Sequence, residues 1–205
     1  MNEGPTVYVV DDDASYLAAV VRLLHAAGFE VQGFSSPTTL LESVSDQKPG
    51  CIVADLEMPR IDGLALQEIL MKSCATLPVV FLTGRGDVPS AVRAMRGGAV
   101  DFLEKRAPSE QLIAAVLRAL DRNASGRIQH ARSDELKGRF AGLTPREREV
   151  LEHIVRGSRN RQIAADLAIH ERTVNLHRAA IARKVGVRSV AELTVLTQQA
   201  GLFLS

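Results

Sequence analysis

Short apolar runs rich in β-branched residues alternate with stretches of helical periodicity through the first 120 residues. The apolar runs fall at 6–10, 30–34, 51–55, 79–83 and 100–103, and the helical stretches at 14–27, 36–45, 63–72, 88–96 and 109–122. Strands this short and this continuously apolar are buried on both faces. Their strict alternation with helices therefore predicts an α/β fold, a five-stranded, doubly wound parallel sheet with helices on both sides. From 121 to 142 the apolar content drops, leaving Ile128, Leu136 and Phe140 as the bulky anchors. The segment reads as a linker after a helix that ends near Arg122; part of it could prolong that helix, but Gly126 and Gly138 each weaken this by roughly 1 kcal/mol relative to Ala.

Beyond residue 142 only helical periodicity remains. Thr144, Pro145 and Glu147 make a capping box with proline at the first helical position, and Gly157 ends that helix. Asn160 is expected to cap a second, short helix to Leu167. A third runs from Glu171 to Val185 before Gly186, and Ser189 with Glu192 opens a fourth that ends near Gly201. Four helices, with three residues between the second and third, fit a small all-α helix-turn-helix domain. The expected division is 1–120, linker 121–142 and 143–205.

Composition narrows the choice. With 46% apolar and 24% charged residues, the 205-residue chain has the makings of packed globular domains. No apolar run is long enough to cross a bilayer and the first residues carry no signal-like segment, so a cytoplasmic protein without membrane partners is expected. Cys51 and Cys74 lack metal-ligand spacing and read as free core thiols. The net charge of +1 hides an asymmetry: residues 1–120 carry 10 Lys and Arg against 15 Asp and Glu, whereas 121–205 carry 15 against 9. The basic half is where a polyanion would bind.

Candidate chemistry gathers at the carboxyl ends of the predicted strands, where doubly wound sheets bind ligands. Asp11, Asp12 and Asp13 follow the first strand, Asp55 ends the third, Thr83 the fourth, and Lys105 follows the fifth. Crowded carboxylates repel unless a cation sits among them, and an oxygen-only donor set favours Mg²⁺. A carboxylate there, beside an ammonium and a hydroxyl, is arranged to accept a phosphoryl group and hold its oxygens. Asp13 alone reads as a helix cap. Phe102 is open between a core residue and a switch.

On these residues positions 5–120 resemble a CheY-like receiver domain of two-component response regulators, a flavodoxin-like fold. The resemblance implies Asp55 as phosphoacceptor, Thr83 and Lys105 as phosphate-binding groups, and Phe102 as switch aromatic. It also implies Mg²⁺ held by Asp12, Asp55 and the backbone carbonyl of Glu57, with Asp11 acting through water. Most members have proline after this lysine; here Arg106 follows, which bears on where Lys105 is placed. Gly84 leaves the phosphate accessible, flanked by Glu57 and Arg85. Asp11-Asp12-Asp13-Ala14-Ser15 also fits loosely the nucleophile loop of haloacid-dehalogenase-like phosphatases, with Asp11 as nucleophile. That family needs a further acidic pair, which Asp101 and Glu104 supply poorly.

Residues 143–202 resemble the LuxR-type helix-turn-helix of the NarL/FixJ class, through Leu143 to Leu151, Gly157, Asn160 to Ala164, Thr173 to Arg178 and Lys184 to Val187. Helical spacing turns Val174, Ile181 and Val185 inward, with His177 beside them as a packing residue. The opposite face offers Arg172, Asn175, Leu176, Arg178, Ala179 and Arg183 to a major groove: Asn175 for adenine edges, Leu176 and Ala179 for thymine methyls, Arg178 for guanine or a phosphate. Arg161, Thr173 and Lys184 read as phosphate contacts. His170 stands where such proteins commonly carry Ser or Thr as the cap, and an imidazole caps poorly. In the fourth helix Val190, Leu193, Leu196 and Thr197 form a stripe open to pairing or to the core.

The expected function is that of a non-enzymatic response regulator. A sensor histidine kinase would phosphorylate Asp55, the receiver would homodimerise, and paired domains would bind double-stranded promoter DNA and influence RNA polymerase. The alternative is a regulator that uses its receiver only as an interaction module, independent of phosphorylation.

Overall fold

The computed structural model describes residues 4–44, 48–73, 77–84 and 86–202, so Cys74 and Arg85 lie outside the described residues. The chain divides into two units, 1–127 and 128–205. In the first, strands β1 (Thr6–Val10), β2 (Glu30–Phe34), β3 (Gly50–Ala54), β4 (Val79–Thr83) and β5 (Asp101–Glu104) form one parallel sheet in the order β2-β1-β3-β4-β5. Between them run α1 (Ala14–Ala26), α2 (Pro37–Ser43), α3 (Gly63–Lys72) and α4 (Val88–Arg96), with α5 (Ser109–Ala141) after the last strand.

The sheet works as two cores back to back. Because side chains alternate faces along a strand, Tyr8, Val10, Ile52, Ala54, Val79 and Phe81 pack with Leu40, Leu64, Leu66, Leu70 and Ala94 of α2, α3 and α4. Val7, Val9, Cys51, Val53, Val80 and Leu82 pack instead with α1 and α5, through Val20, Leu24, Leu112, Ala115, Val116 and Ala119. Burial on both sides explains why β1, β3 and β4 read as unbroken apolar runs. It also pushes the Cys51 thiol up to about 12, the mark of an inert core thiol.

Two strands are shifted by one residue from expectation, β3 one earlier at Gly50–Ala54 and β5 one later at Asp101–Glu104, their starts set by the ladder partners Thr6 and Val80. The larger correction is α5. It does not stop near Arg122 but continues to Ala141. Asn123 is buried and its Oδ1 accepts the Gly50 N–H at 3.1 Å, tying the next turn to the sheet. Further on, Leu136 and Phe140, one turn apart, are buried in the second core. A side chain at Gly126 or Gly138 would meet open space, so each glycine costs only its propensity, about 1 kcal/mol, which burial of two bulky side chains offsets.

The second unit holds α6 (Pro145–Val155), α7 (Asn160–Asp166), α8 (Glu171–Val185) and α9 (Val190–Gln199). The Thr144 capping box is formed in both directions. Helix α7 departs from expectation: Arg159 is its cap, with its N–H donating to Gln162 Oε1 at 3.4 Å, and Asn160 is the first helical residue. The stripe on α9 is mostly core, since Leu193 and Thr197 are buried and Leu196 packs against the same cluster; Val190 stays exposed.

Candidate functional site

Parallel pairing delivers the carboxylates to one edge. The Asp11 N–H continues the ladder to Phe34 O at 3.1 Å and the Asp55 N–H to Val10 O at 2.9 Å, so both backbones are fixed as their side chains emerge above β1 and β3. Both side chains are buried, while Asp12 is exposed. Lys105 Nζ lies 2.6 Å from Asp11 Oδ2 and 2.9 Å from Asp55 Oδ2. Asp55 Oδ1 accepts the N–H groups of Leu56 at 2.7 Å and Glu57 at 3.4 Å, and Asp11 Oδ1 accepts that of Asp13 at 2.9 Å. Asp13 in turn caps α1, accepting from Ser15 and Tyr16.

One carboxylate oxygen from each of Asp11, Asp12 and Asp55 lies within 4.8 Å of the other two. Three carboxylates face one ammonium, an excess of negative charge in a partly dry site. Burial raises the pKa of Asp11 above the usual carboxylate range and the charge of Asp55 adds to this, against the opposing bonds from Lys105 and the Asp13 N–H. For Lys105, burial acts to lower the pKa, but hydrogen bonds to Asp11 and Asp55 and their charges outweigh it and leave the ammonium above its ordinary value. The oxygen-only donors and surplus charge suit a hard divalent cation such as Mg²⁺.

Thr83 is fully buried at the end of β4, and its carbonyl accepts the Lys105 N–H at 2.7 Å. The half-buried Phe102 ring packs on the core, its centroid 6.3 Å from that of Phe81. Arg106 follows Lys105 through a trans peptide and turns outward to Glu104, Nε to Oε2 3.0 Å. It does not displace Lys105 from the pocket. Asp101 pairs with Arg118, so neither Asp101 nor Glu104 joins the acidic cluster as a phosphatase would need.

Two residues of this site escape notice in the sequence. The Tyr16 hydroxyl donates to Lys105 O at 2.9 Å, and Lys105 Nζ stands 4.6 Å from the centre of its ring. Its signal was its place one turn beyond the Asp13 cap. Gly63 is the other: a Cβ there would fall 2.4 Å from Asp55 O and 2.8 Å from Phe81, so only glycine lets the start of α3 pass beneath the Asp55 loop.

In the second unit Val174, Ile181 and Val185 are buried, leaving the opposite face of α8 outward. Arg161, Arg172, Asn175 and Ala179 are exposed, Thr173, His177 and Arg178 partly so, and Leu176 is 65% exposed. An apolar side chain that bare on a basic helix suits a groove carrying methyl groups. Asn175 Oδ1 accepts from Asn160 Nδ2 at 2.7 Å. His170 caps α8 without a side-chain hydrogen bond. Lys184 is engaged differently from the rest: its Nζ lies 2.7 Å from Oε2 of the buried Glu147, which also accepts the Thr144 N–H at 2.7 Å. Those bonds hold the Glu147 carboxyl below its usual range. Among the described residues no helix is long and apolar enough to cross a membrane.

The chain matches the response regulator receiver domain family over residues 7–117 and the family of bacterial regulatory proteins of the luxR type over 141–197. It is 42% identical over 203 residues to the transcriptional regulatory protein FixJ of Azorhizobium caulinodans, covering 98% of this chain and 96% of that one. It is 37% identical over 198 residues to the response regulator protein TodT of Pseudomonas putida, covering 97% and 87%. Among solved structures, the response regulator StyR superposes with a TM-score of 0.76 at 42% identity, covering 96% of this chain and 100% of that one. Full-length FixJ from B. japonicum gives 0.59 at 36% identity, covering 98% of each. The chain therefore belongs to the response regulators, a receiver domain followed by a LuxR-type DNA-binding domain, and is a transcription factor of the FixJ class.

Proposed function

We propose that this transcription factor is switched by phosphorylation of Asp55, with the phosphohistidine of a sensor histidine kinase as donor. The observation that carries the reading is the meeting of Asp11, Asp12 and Asp55 with Lys105 at one sheet edge, carboxylates in excess over the ammonium. Asp11, Asp12 and Asp55, with the backbone carbonyl of Glu57, would hold Mg²⁺, which when bound offsets the carboxylate charge and the charge on the phosphoryl oxygens. An Asp55 carboxylate oxygen attacks phosphorus as the P–N bond of the phosphohistidine breaks; the electron pair stays on the ring nitrogen, and because the donor ring is protonated on its other nitrogen it leaves as neutral imidazole. Lys105 then exchanges Asp55 for a phosphoryl oxygen, and the Thr83 hydroxyl donates to another.

Thr83 and Lys105 moving toward the phosphoryl group open space for Phe102, and the α4–β5 surface changes with it. On α4, Val88 and Met95 are 76% and 48% exposed, and Val92 lies between them at 43%, a stripe that a homodimer of receivers would cover. Pairing through 1–120 raises the effective concentration of two DNA-binding domains, 143–205, on one promoter in the cytoplasm, where they act on RNA polymerase. Asn175, Leu176, Arg178 and Ala179 read bases in double-stranded DNA; Arg161, Arg172 and Thr173 hold phosphates. Lys184 holds α8 to α6 through Glu147 and offers the exposed part of its ammonium to a phosphate.

Intact mass after incubation with Mg²⁺ and acetyl phosphate tests the central step. Wild type should gain one phosphoryl group and Asp55→Asn none; equal masses in both, with the fold intact, would favour a receiver that works without phosphorylation.

A further inference from the structure

Lys105 has to be free at its ammonium and fixed at its backbone. Both its peptide groups are held: the N–H by Thr83 O at 2.7 Å and the C=O by the Tyr16 hydroxyl at 2.9 Å. The next residue offers no such anchor, because the Arg106 side chain is 82% exposed and pairs outward with Glu104. Tyr16 is itself rigidly placed. Its N–H donates to the Asp13 cap at 3.1 Å, and Asp13 donates its own N–H to Asp11 at 2.9 Å. The α1 N-terminus thus joins the acidic cluster to the lysine that answers it.

We infer that Tyr16 is a positioning residue for phosphoryl transfer, holding the Lys105 backbone with its hydroxyl and offering its ring face as the surface over which the ammonium moves. The inference rests on the phosphoacceptor reading of Asp55. The hydroxyl clamps the start of the loop after β5, so that Lys105 shifts between carboxylate and phosphoryl oxygen by its side chain alone. The ring, 4.6 Å from Nζ at its centre, keeps the ammonium attracted while it changes partners without rehydrating it. The pocket beside them, about 160 Å³, is lined by Ala19, Val20, Leu23, Leu82 and Leu112 together with Lys105 and Ser109, so the tyrosine and the lysine share a mostly apolar cleft.

The test compares wild type, Tyr16→Phe and Tyr16→Leu. The rate of phosphoryl gain from acetyl phosphate with Mg²⁺ is read by intact mass, and stability by urea midpoint. Tyr16→Phe keeps the ring and should slow the reaction roughly fivefold, the worth of one hydrogen bond. Tyr16→Leu loses the ring as well and should slow it on the order of tenfold or more. A second readout uses the chain's lack of Trp and its two tyrosines. In Tyr8→Phe, tyrosine emission reports Tyr16 alone; it should change when Mg²⁺ is added, and Lys105→Met should abolish the change. Wild-type rates in both Tyr16 variants would overturn the inference. If wild type takes no phosphoryl group, the Asp55 reading fails instead, and the emission decides: a Lys105-dependent change upholds the Tyr16 contact, and its absence overturns it.

Discussion

Lys105 and Lys184 each lie against buried carboxylates, one in each unit, and the difference in charge balance separates a structural lock from a chemical site. At Lys184 the balance closes. Glu147 takes the ammonium at 2.7 Å and the Thr144 N–H at 2.7 Å, and its pKa falls. At Lys105 it does not: Asp11, Asp12 and Asp55 crowd one ammonium, and the pKa of Asp11 rises with burial despite it. A charge-balanced pair ties α8 to α6 and asks for no further cation, whereas an unbalanced cluster does.

The comparison breaks most sharply at Glu147. Glu147→Gln leaves Lys184 without its counter-charge and should destabilise unit 128–205 by about 2–3 kcal/mol, read as a lowered urea midpoint, with the receiver's phosphoryl gain unchanged. The same lock has a pH signature. Because its folded pKa lies below the ordinary 4.5, its contribution is fully present above about that pH and is lost as pH falls through the lower folded value. Acid titration of the second unit's helicity should show that loss in wild type and not in Glu147→Gln.

On the receiver side, Gly63→Ala forces a methyl to 2.4 Å from Asp55 O, so the Asp55 loop must shift. We expect a cost of about 1–3 kcal/mol together with slower phosphoryl gain, since the shifted group is the acceptor's own backbone. The smallest effect belongs to the turn between α7 and α8. Ala168 holds φ +52°, a left-handed conformation that disfavours a Cβ, so Ala168→Gly should raise the stability of the second unit by about 1 kcal/mol and leave the reading face untouched.

The sheet, its helices and the acidic edge were legible in sequence because strand burial writes itself as apolar runs and parallel topology sends every strand end to the same side. Other features, Gly63 among them, were not. The continuation of α5 depends on where Asn123, Leu136 and Phe140 find partners, which local propensity does not contain. Lys184 looked like any basic residue on an exposed helix until α6 brought Glu147 beneath it. On α9, apolar spacing alone could not tell a pairing stripe from a core face. Tyr16 is separated from Lys105 by 89 positions, and nothing in its own neighbourhood names that carbonyl as its acceptor.

The most direct test of the charge-balance account is a calorimetric titration of the full chain with Mg²⁺. Wild type should bind one ion, Asp12→Asn and Asp55→Asn should lose that binding, and Glu147→Gln should keep it. No Mg²⁺ binding by folded wild type, or binding that survives loss of the Asp55 carboxylate, would contradict the account.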